Sequence, residues 1–422
     1  VTEPASPLQI ADYRRYWLAR FIAVFATMSM VVLIGYQLYD VARADYGMSV
    51  AEASFQLGLL GLAQFIPLFV LTPVAGLAAD RFDRRYVAAF ANGIDGVVAA
   101  LLAVLTWADA LNIPIIFALA AAHGAARVFV NPAMSAIAPN IVPANLLPRA
   151  IALSSIAWQT ASVAGPAVGG LIFARSEWMP HAISAGMLVA AMMLVLTIRP
   201  IKARHDGLPL KPLRQIIEGL VYVWRERFLL GCITLDLFAV LLAGATALLP
   251  VFARDILFVG PEGLGLMRAA PALGAAIVAL WLSFRPLESA VGMKMLWAVA
   301  AFGAFTIAFA FSRNFLLSLA ILAAMGAVDM VSVFIRSSLV QLFTPDDKRG
   351  RVSSISGLAI SASNELGEMQ SGLAAALLGV TGAVVFGGAG AIFVTLIWAW
   401  YFPELRRASS FEPQELKREV ST

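Results

Sequence analysis

Gly76-Leu77-Ala78-Ala79-Asp80-Arg81-Phe82-Asp83-Arg84-Arg85 interrupts two long apolar runs, and the way it does so decides the fold. The run from Leu57 to Ala79 stops at it, and the run from Tyr86 to Trp107 begins straight after. Its charges, Asp80, Arg81, Asp83, Arg84 and Arg85, stand between two segments long enough to cross a bilayer, which takes about 20 mostly apolar residues. So short a loop holds both segment ends against one membrane face. Its arginines mark that face as cytoplasmic, because basic residues are kept on that side.

The rest of the chain follows the same pattern. Of 422 residues, 60% are hydrophobic and 13% charged, and the mean hydropathy is +0.83. A soluble globule is roughly half apolar and a quarter charged. Apolar runs place spans at 16–40, 54–79, 86–107, 113–135, 150–174, 181–198, 228–252, 263–283, 292–311, 315–340, 352–378 and 383–401. Only helices or closed barrels satisfy backbone groups in lipid, and barrel strands would alternate in polarity, so an all-α membrane protein is expected. An even number of spans puts both termini on one side. Of the 30 lysines and arginines, Arg43, Arg175, Arg254 and Arg313 fall in the opposite loops and Arg127, Arg268 and Arg336 inside spans. The others fall in the N-terminal segment, the loops on the Asp80 side, the central linker and the tail, which predicts cytoplasmic N and C termini.

Several functions are set aside by what these residues leave out. Val1 to Pro7 lack a basic region and the first apolar run is too long for a secretory signal, so none is expected. A single cysteine, Cys232, allows no internal disulfide, and three scattered histidines make no metal cluster. No cofactor is expected. The net charge of +4 lies where membrane loops put it and does not point to nucleic acid. Enzyme chemistry would need a nucleophile with its base, or a metal cluster, and neither is evident.

The segment 199–227 divides an N-terminal six-span half (1–198) from a C-terminal one (228–402), with a polar tail at 403–422 expected to be mobile. Within the linker, Leu213, Ile216, Ile217, Leu220 and Trp224 recur at helical spacing among Lys211, Arg214 and Arg225, which predicts an amphipathic helix on the membrane surface. The halves repeat at one offset: Gly124, Pro143, Arg149, Ser154, Gly165 and Gly170 fall on Gly326, Pro345, Arg351, Ser356, Gly367 and Gly372.

The pattern Gly76-x-x-x-Asp80-Arg81-x-x-Arg84-Arg85 resembles the loop between helices 2 and 3 of the major facilitator superfamily of transporters. Asp83 stands where that family usually has Gly, and Ala78 where it usually has Leu. Gly165-Pro166-Ala167-Val168-Gly169-Gly170 is similar to the core of the motif that marks proton-driven antiporters, with Ala161 in place of the usual upstream glycine. Pro166 removes a helix hydrogen bond and the glycines admit close backbones. Longer stretches, above all Ser363-Asn364-Glu365-Leu366-Gly367-Glu368, resemble the branch of bacterial enterobactin exporters. The resemblance implies two pseudo-symmetric six-helix halves with substrate near the midplane between them, and proton-powered export of a siderophore or other amphipathic compound across the bacterial inner membrane. It implies a gating role for Gly76, Asp80, Arg81, Arg84 and Arg85, and an antiporter-like kink at Gly165, Pro166, Gly169 and Gly170. A monomer that meets protons, a small-molecule substrate and the lipid bilayer is expected.

Charges inside spans are costly and mark function. They are Asp95, Arg127, Asp236, Arg268, Asp329, Arg336, Glu365 and Glu368. Asp95 reads either as an anchor for the loop arginines or as a functional group; Arg268 and Arg336 read as snorkelling or structural. Arg127 and Asp329 hold equivalent repeat positions, and His123 shares Arg127's helix face. Glu365 and Glu368 lie three apart on one face, and two carboxylates that close in low dielectric do not both ionise readily. Proton coupling is therefore assigned to Asp236, Asp329, Glu365 or Glu368, with helix packing as the alternative for the two glutamates. Arg127, Asp329, His123 and Asn364 are the candidates for the substrate cavity; for Arg127 the alternative is a brace within the N-terminal half. The expected function is secondary active transport, with uptake or facilitated transport of a solute or lipid, or a non-transporting sensor, as rival readings.

Overall fold

Long apolar runs that must bond their own backbones become helices, and their ends fall where polar residues can take over the last donors. The computed structural model describes residues 6–201, 212–285, 287, 289–345 and 348–411; the side chains of residues 79, 80 and 212–216 lie outside what it describes. In chain order the helices are α1 (Ala11–Ala44), α2 (Val50–Arg81), α3 (Arg84–Trp107), α4 (Ile113–Ile141), α5 (Leu147–Phe173), α6 (Met179–Leu196), α7 (Pro212–Arg225) and α8 (Arg227–Leu242). There follow α9 (Leu249–Val251), α10 (Gly260–Phe284), α11 (Val291–Phe311), α12 (Phe315–Phe343), α13 (Arg349–Tyr401) and α14 (Pro403–Arg407). The described residues contain no strand.

Eleven stretches among the described residues are long and apolar enough to cross a membrane. One of them, α13, has 53 residues, about 80 Å at 1.5 Å per residue, far beyond a hydrocarbon core of about 30 Å. It is divided at Gly379, whose φ of 74° and ψ of 164° lie outside the helical region. A β-carbon is not tolerated comfortably at that φ, so glycine makes the turn. With that division the spans number as the apolar runs predicted.

The duplication is visible at the caps. The Ile115 amide donates to Asn112 Oδ1 at 3.0 Å, and the Leu317 amide donates to Asn314 Oδ1 at 3.0 Å. These N-caps, which start α4 and α12, stand at the same offset as the glycine pairs.

Span 7 departs from expectation. A continuous helix over 228–252 was predicted, but α8 ends at Leu242 and passes through a 3-10 turn (Ala245–Leu248), α9 and a π turn (Phe252–Ile256). At the break, a β-carbon on Gly244 would lie 2.6 Å from Gly367 O and 2.9 Å from Ser371 Oγ of α13. The backbone leaves the helix where another backbone passes too close for a side chain.

Two compact units form. One comprises residues 1–47, 63–209 and 259–269; the other comprises 48–62, 210–258 and 270–422. The first stretches of α2 and of α10 have each joined the other half's helices. Glycine explains both exchanges. In the second unit a β-carbon on Gly58 would be 2.9 Å from Met369 O and 3.0 Å from Gly372 Cα, and one on Gly61 would be 2.8 Å from Glu365 O. In the first unit Gly265 faces the Pro166 carbonyl, and Gly170 faces Pro261 and Gly265. Lipid tails are as apolar as leucine, so such close backbone crossings, rather than burial of apolar surface, hold membrane helices together.

The chain end also differs. Expected to be mobile, the stretch from Pro403 to Phe411 is docked: Leu405 and Ala408 are buried, the Gly292 amide donates to Ala408 O at 2.9 Å, and Phe411 meets Phe334 edge-on. This short strap supplies acceptors to the first turn of α11. The linker helix α7 is held against α13, where Arg351 Nη1 lies 3.2 Å from Glu218 Oε2 and Lys348 sits over the Tyr222 ring. Ile217, Leu220 and Trp224 remain exposed; Lys211, Leu213, Arg214 and Ile216 fall outside the described residues or side chains.

Candidate functional site

The charged loop is built around Asp83, the residue that departs from the family pattern. Asp83 caps α3, accepting from the Arg85 amide at 3.0 Å, and its carboxylate takes Arg85 Nε at 3.0 Å and Nη2 at 2.7 Å. The same guanidinium donates to Ile198 O at the end of α6, and Arg84 Nη1 donates to Ala136 O of α4 at 3.2 Å. Burial raises the Asp83 carboxyl, but the hydrogen bonds and charge of Arg85 outweigh it and hold it below its ordinary value of 3.8. Arg85 is buried and Arg81 is exposed. Gly76 has open space where its β-carbon would be. The Asp80 side chain, expected to pair with these arginines or approach span 11, lies outside the described residues.

The glycines beside Pro166 are contact points. A β-carbon on Gly165 would sit 2.6 Å from Phe25 O, Gly169 meets Ser29, and Gly170 meets the start of α10. One turn and a half of α5 thus admits the backbones of both α1 and α10. Farther along α1, Trp17 Nε1 donates to Leu153 O at 2.9 Å, and the Tyr13 hydroxyl donates to Ala150 O at 2.6 Å.

The second unit holds a charged cluster. Asp236 of α8 forms an ion pair with Arg336 of α12, and both side chains are buried. Asp329 and Asp236 line one small pocket with Ala239, Val240, Val299, Phe302 and Ser332; it has space for about one water. Sequence reasoning found both aspartates and read Arg336 as snorkelling or pairing structurally; the pair is what the structure has, but its partner was not foreseen. The missed signal was spacing: Asp329 and Arg336 are two helical turns apart, on one face of α12.

Glu365 is buried and Glu368 partly so, where α13 crosses Gly61 of α2; Asn364 is exposed. Both glutamates have interaction partners. Arg127 is partly exposed on α4 and also has a partner.

His123 is packed between α3 and α4. It is 0% exposed, and its Nδ1 donates to Asp95 Oδ1 at 2.6 Å across α3 and α4. Its neighbour Gly124 lets α2 pass, since a β-carbon there would lie 2.8 Å from Gln64 O. Asp95, read from sequence as a possible anchor for the loop arginines, is instead this histidine's partner. A further buried histidine, His181, donates from Nε2 to Gln37 Oε1 at 2.8 Å, and Gln37 donates to Thr106 Oγ1 at 2.9 Å.

Apolar stretches able to span a membrane, one of them divided at Gly379, with charges paired among them, are those of a membrane transporter of the major facilitator type. A profile of the transmembrane secretion effector family matches residues 2–419, and the chain belongs to that family. The enterobactin exporter EntS of Salmonella paratyphi A is 27% identical over 418 residues, which cover 95% of this chain and 94% of that protein. EntS of Escherichia coli O1:K1 is 25% identical over 417 residues, with the same coverage. The crystal structure of the nucleoside transporter NupG is similar in fold, with a TM-score of 0.72 at 14% identity, over 93% of this chain and 99% of that one. These relatives and neighbours are transporters, not enzymes.

Proposed function

We propose that this transporter exports an amphipathic small molecule, a siderophore or drug-like compound, in exchange for protons. The observation that carries the reading is the Asp236–Arg336 pair with Asp329 on the same pocket. Two carboxylates and one guanidinium are neutral together only when one proton is bound. Net charge buried away from water is expensive, so the cluster's proton content is tied to whatever exposes or seals it. Asp236 and Asp329 are the coupling residues in this reading, with Glu365 and Glu368 as the further candidates. Arg127 and Asn364 contact the substrate, an anionic catecholate being well matched to a guanidinium. Gly76, Asp80, Arg81, Arg84 and Arg85 form the gating loop on the cytoplasmic face, where both termini also lie, and the protein works as a monomer in the bacterial inner membrane. The names of the relatives support a siderophore as one substrate class.

Proteoliposomes with an imposed pH gradient and a panel of catecholates, drugs and lipids test this. Gradient-driven movement of a panel compound is expected, and Asp236→Asn or Asp329→Asn should abolish the gradient's effect while binding survives. Full gradient-driven rates in both variants would end the assignment of coupling to this cluster.

A further inference from the structure

A second ionisable pair, remote in sequence from that cluster, is left over. Asp95 and His123 are 2% and 0% exposed, and their 2.6 Å bond uses only one ring nitrogen. His123 Nε2 is buried with no hydrogen-bond partner among the described residues. So is Nδ2 of Asn92, one turn from Asp95 on the same face of α3. Each buried unmet polar atom costs about 1–3 kcal/mol.

The surroundings give the pair little other charge. α3 contributes Asp95 and Asn92, and α4 contributes Arg127, one turn beyond His123. On α2, which passes at Gly124 beside Gln64, no charged residue stands between Glu52 and Asp80. None stands on α1 between Arg20 and Asp40, nor on α5 between Arg149 and Arg175. α6 carries only His181, whose Nε2 is committed to Gln37.

We propose that the Asp95–His123 pair is a second proton-binding site of this transporter, filled at His123 Nε2. With Nδ1–H donating to the carboxylate, Nε2 presents its lone pair. A proton delivered by water forms the Nε2–H bond, the imidazole becomes imidazolium, and the pair passes from net charge −1 to zero. No other bond in the protein forms or breaks. The site's use in transport rests on the proton-coupled reading above; its existence does not.

The test is nitrogen NMR of the full chain with labelled histidine in lipid nanodiscs. The chain has three histidines, so His181→Gln and His205→Gln variants assign His123 without altering it. Across about pH 5 to 9, the range in which imidazoles usually titrate, Nδ1 of His123 should stay protonated while Nε2 gains a proton. Asp95→Asn should change how the Nε2 signal depends on pH. An Nε2 signal that keeps one state throughout would overturn the proposal, and this needs no variant to fold. A midpoint indifferent to Asp95→Asn would overturn the role of the pair. Titration of His123 in a protein whose flux ignores the pH gradient would leave the site and remove the export mechanism; the converse result would do the opposite.

Discussion

Replacing Asp236 by Asn and Arg336 by Met, singly and together, should give strongly unequal costs. Arg336→Met leaves Asp236 and Asp329 on one pocket with no basic residue lining it. Breaking a buried ion pair in this way costs about 3–5 kcal/mol. Asp236→Asn is milder, because Asp329 remains near to balance the guanidinium. What it loses is hydrogen bonding between charged groups, about 1.5–3 kcal/mol. The double variant returns to a single uncompensated carboxylate that a proton can neutralise, so it should be no less stable than Arg336→Met alone. The cycle then yields a coupling of about 2 kcal/mol, within the range of about 0.5–3 seen for residues in one network. Detergent-driven unfolding in mixed micelles, followed by fluorescence of the nine tryptophans, measures all four proteins. Costs that add to within about 0.5 kcal/mol would refute the claim that the three residues act as one unit.

Asp83→Ala removes the cap of α3 and the bidentate partner of buried Arg85, an expected loss of about 2–3 kcal/mol. Because the folded carboxyl titrates below its ordinary value of 3.8, the stabilisation is complete above that pH and is lost as pH falls through the lower, folded value. The stability difference between wild type and variant should therefore be flat at neutral pH and narrow below 3.8; a difference that persists into strong acid contradicts it. Gly372→Ala places a methyl group against the Gly58 backbone and 2.7 Å from Ser54 O, so the α2–α13 crossing must open. A cysteine introduced at Ser54 should then react with maleimide several-fold faster, against a silent background because Cys232 is fully buried; an unchanged rate would mean that the crossing tolerates the methyl.

How much of this was legible in the sequence depends on whether a residue acts through its own chemistry or through its neighbours. Apolar length placed the spans, though not the break within span 7, and the turn at Gly379 fell in the short gap left between the last two runs. The Gly170 and Gly372 pair was visible as a repeat, but the helices those glycines admit were not, because a close approach is a property of two backbones. For that reason the exchange of the first stretches of α2 and α10 between units was missed. Asp83 looked like a lapse from a pattern and is the acceptor that holds Arg85. Asp236 and Asp329 stood out because a lone acid in lipid is conspicuous, whereas Arg336 was read as snorkelling or pairing structurally with no partner named. That His123 pairs with Asp95 was not visible, because sharing a helix face with Arg127 does not tell which of the two meets another helix.

The strap at 403–411 has a consequence for the order in which the protein is made. The amide of Gly292 waits for the carbonyl of Ala408, more than a hundred residues later in synthesis, and the glycine is needed because the Leu405 carbonyl presses against it. At about 5–20 residues per second, α11 stands unfinished for on the order of ten seconds after it leaves the ribosome. Its first turn must meanwhile borrow acceptors from water or lipid headgroups. The stretch 403–411 thus acts as a closing stitch, and a fusion partner or affinity tag belongs beyond Phe411 rather than in its place.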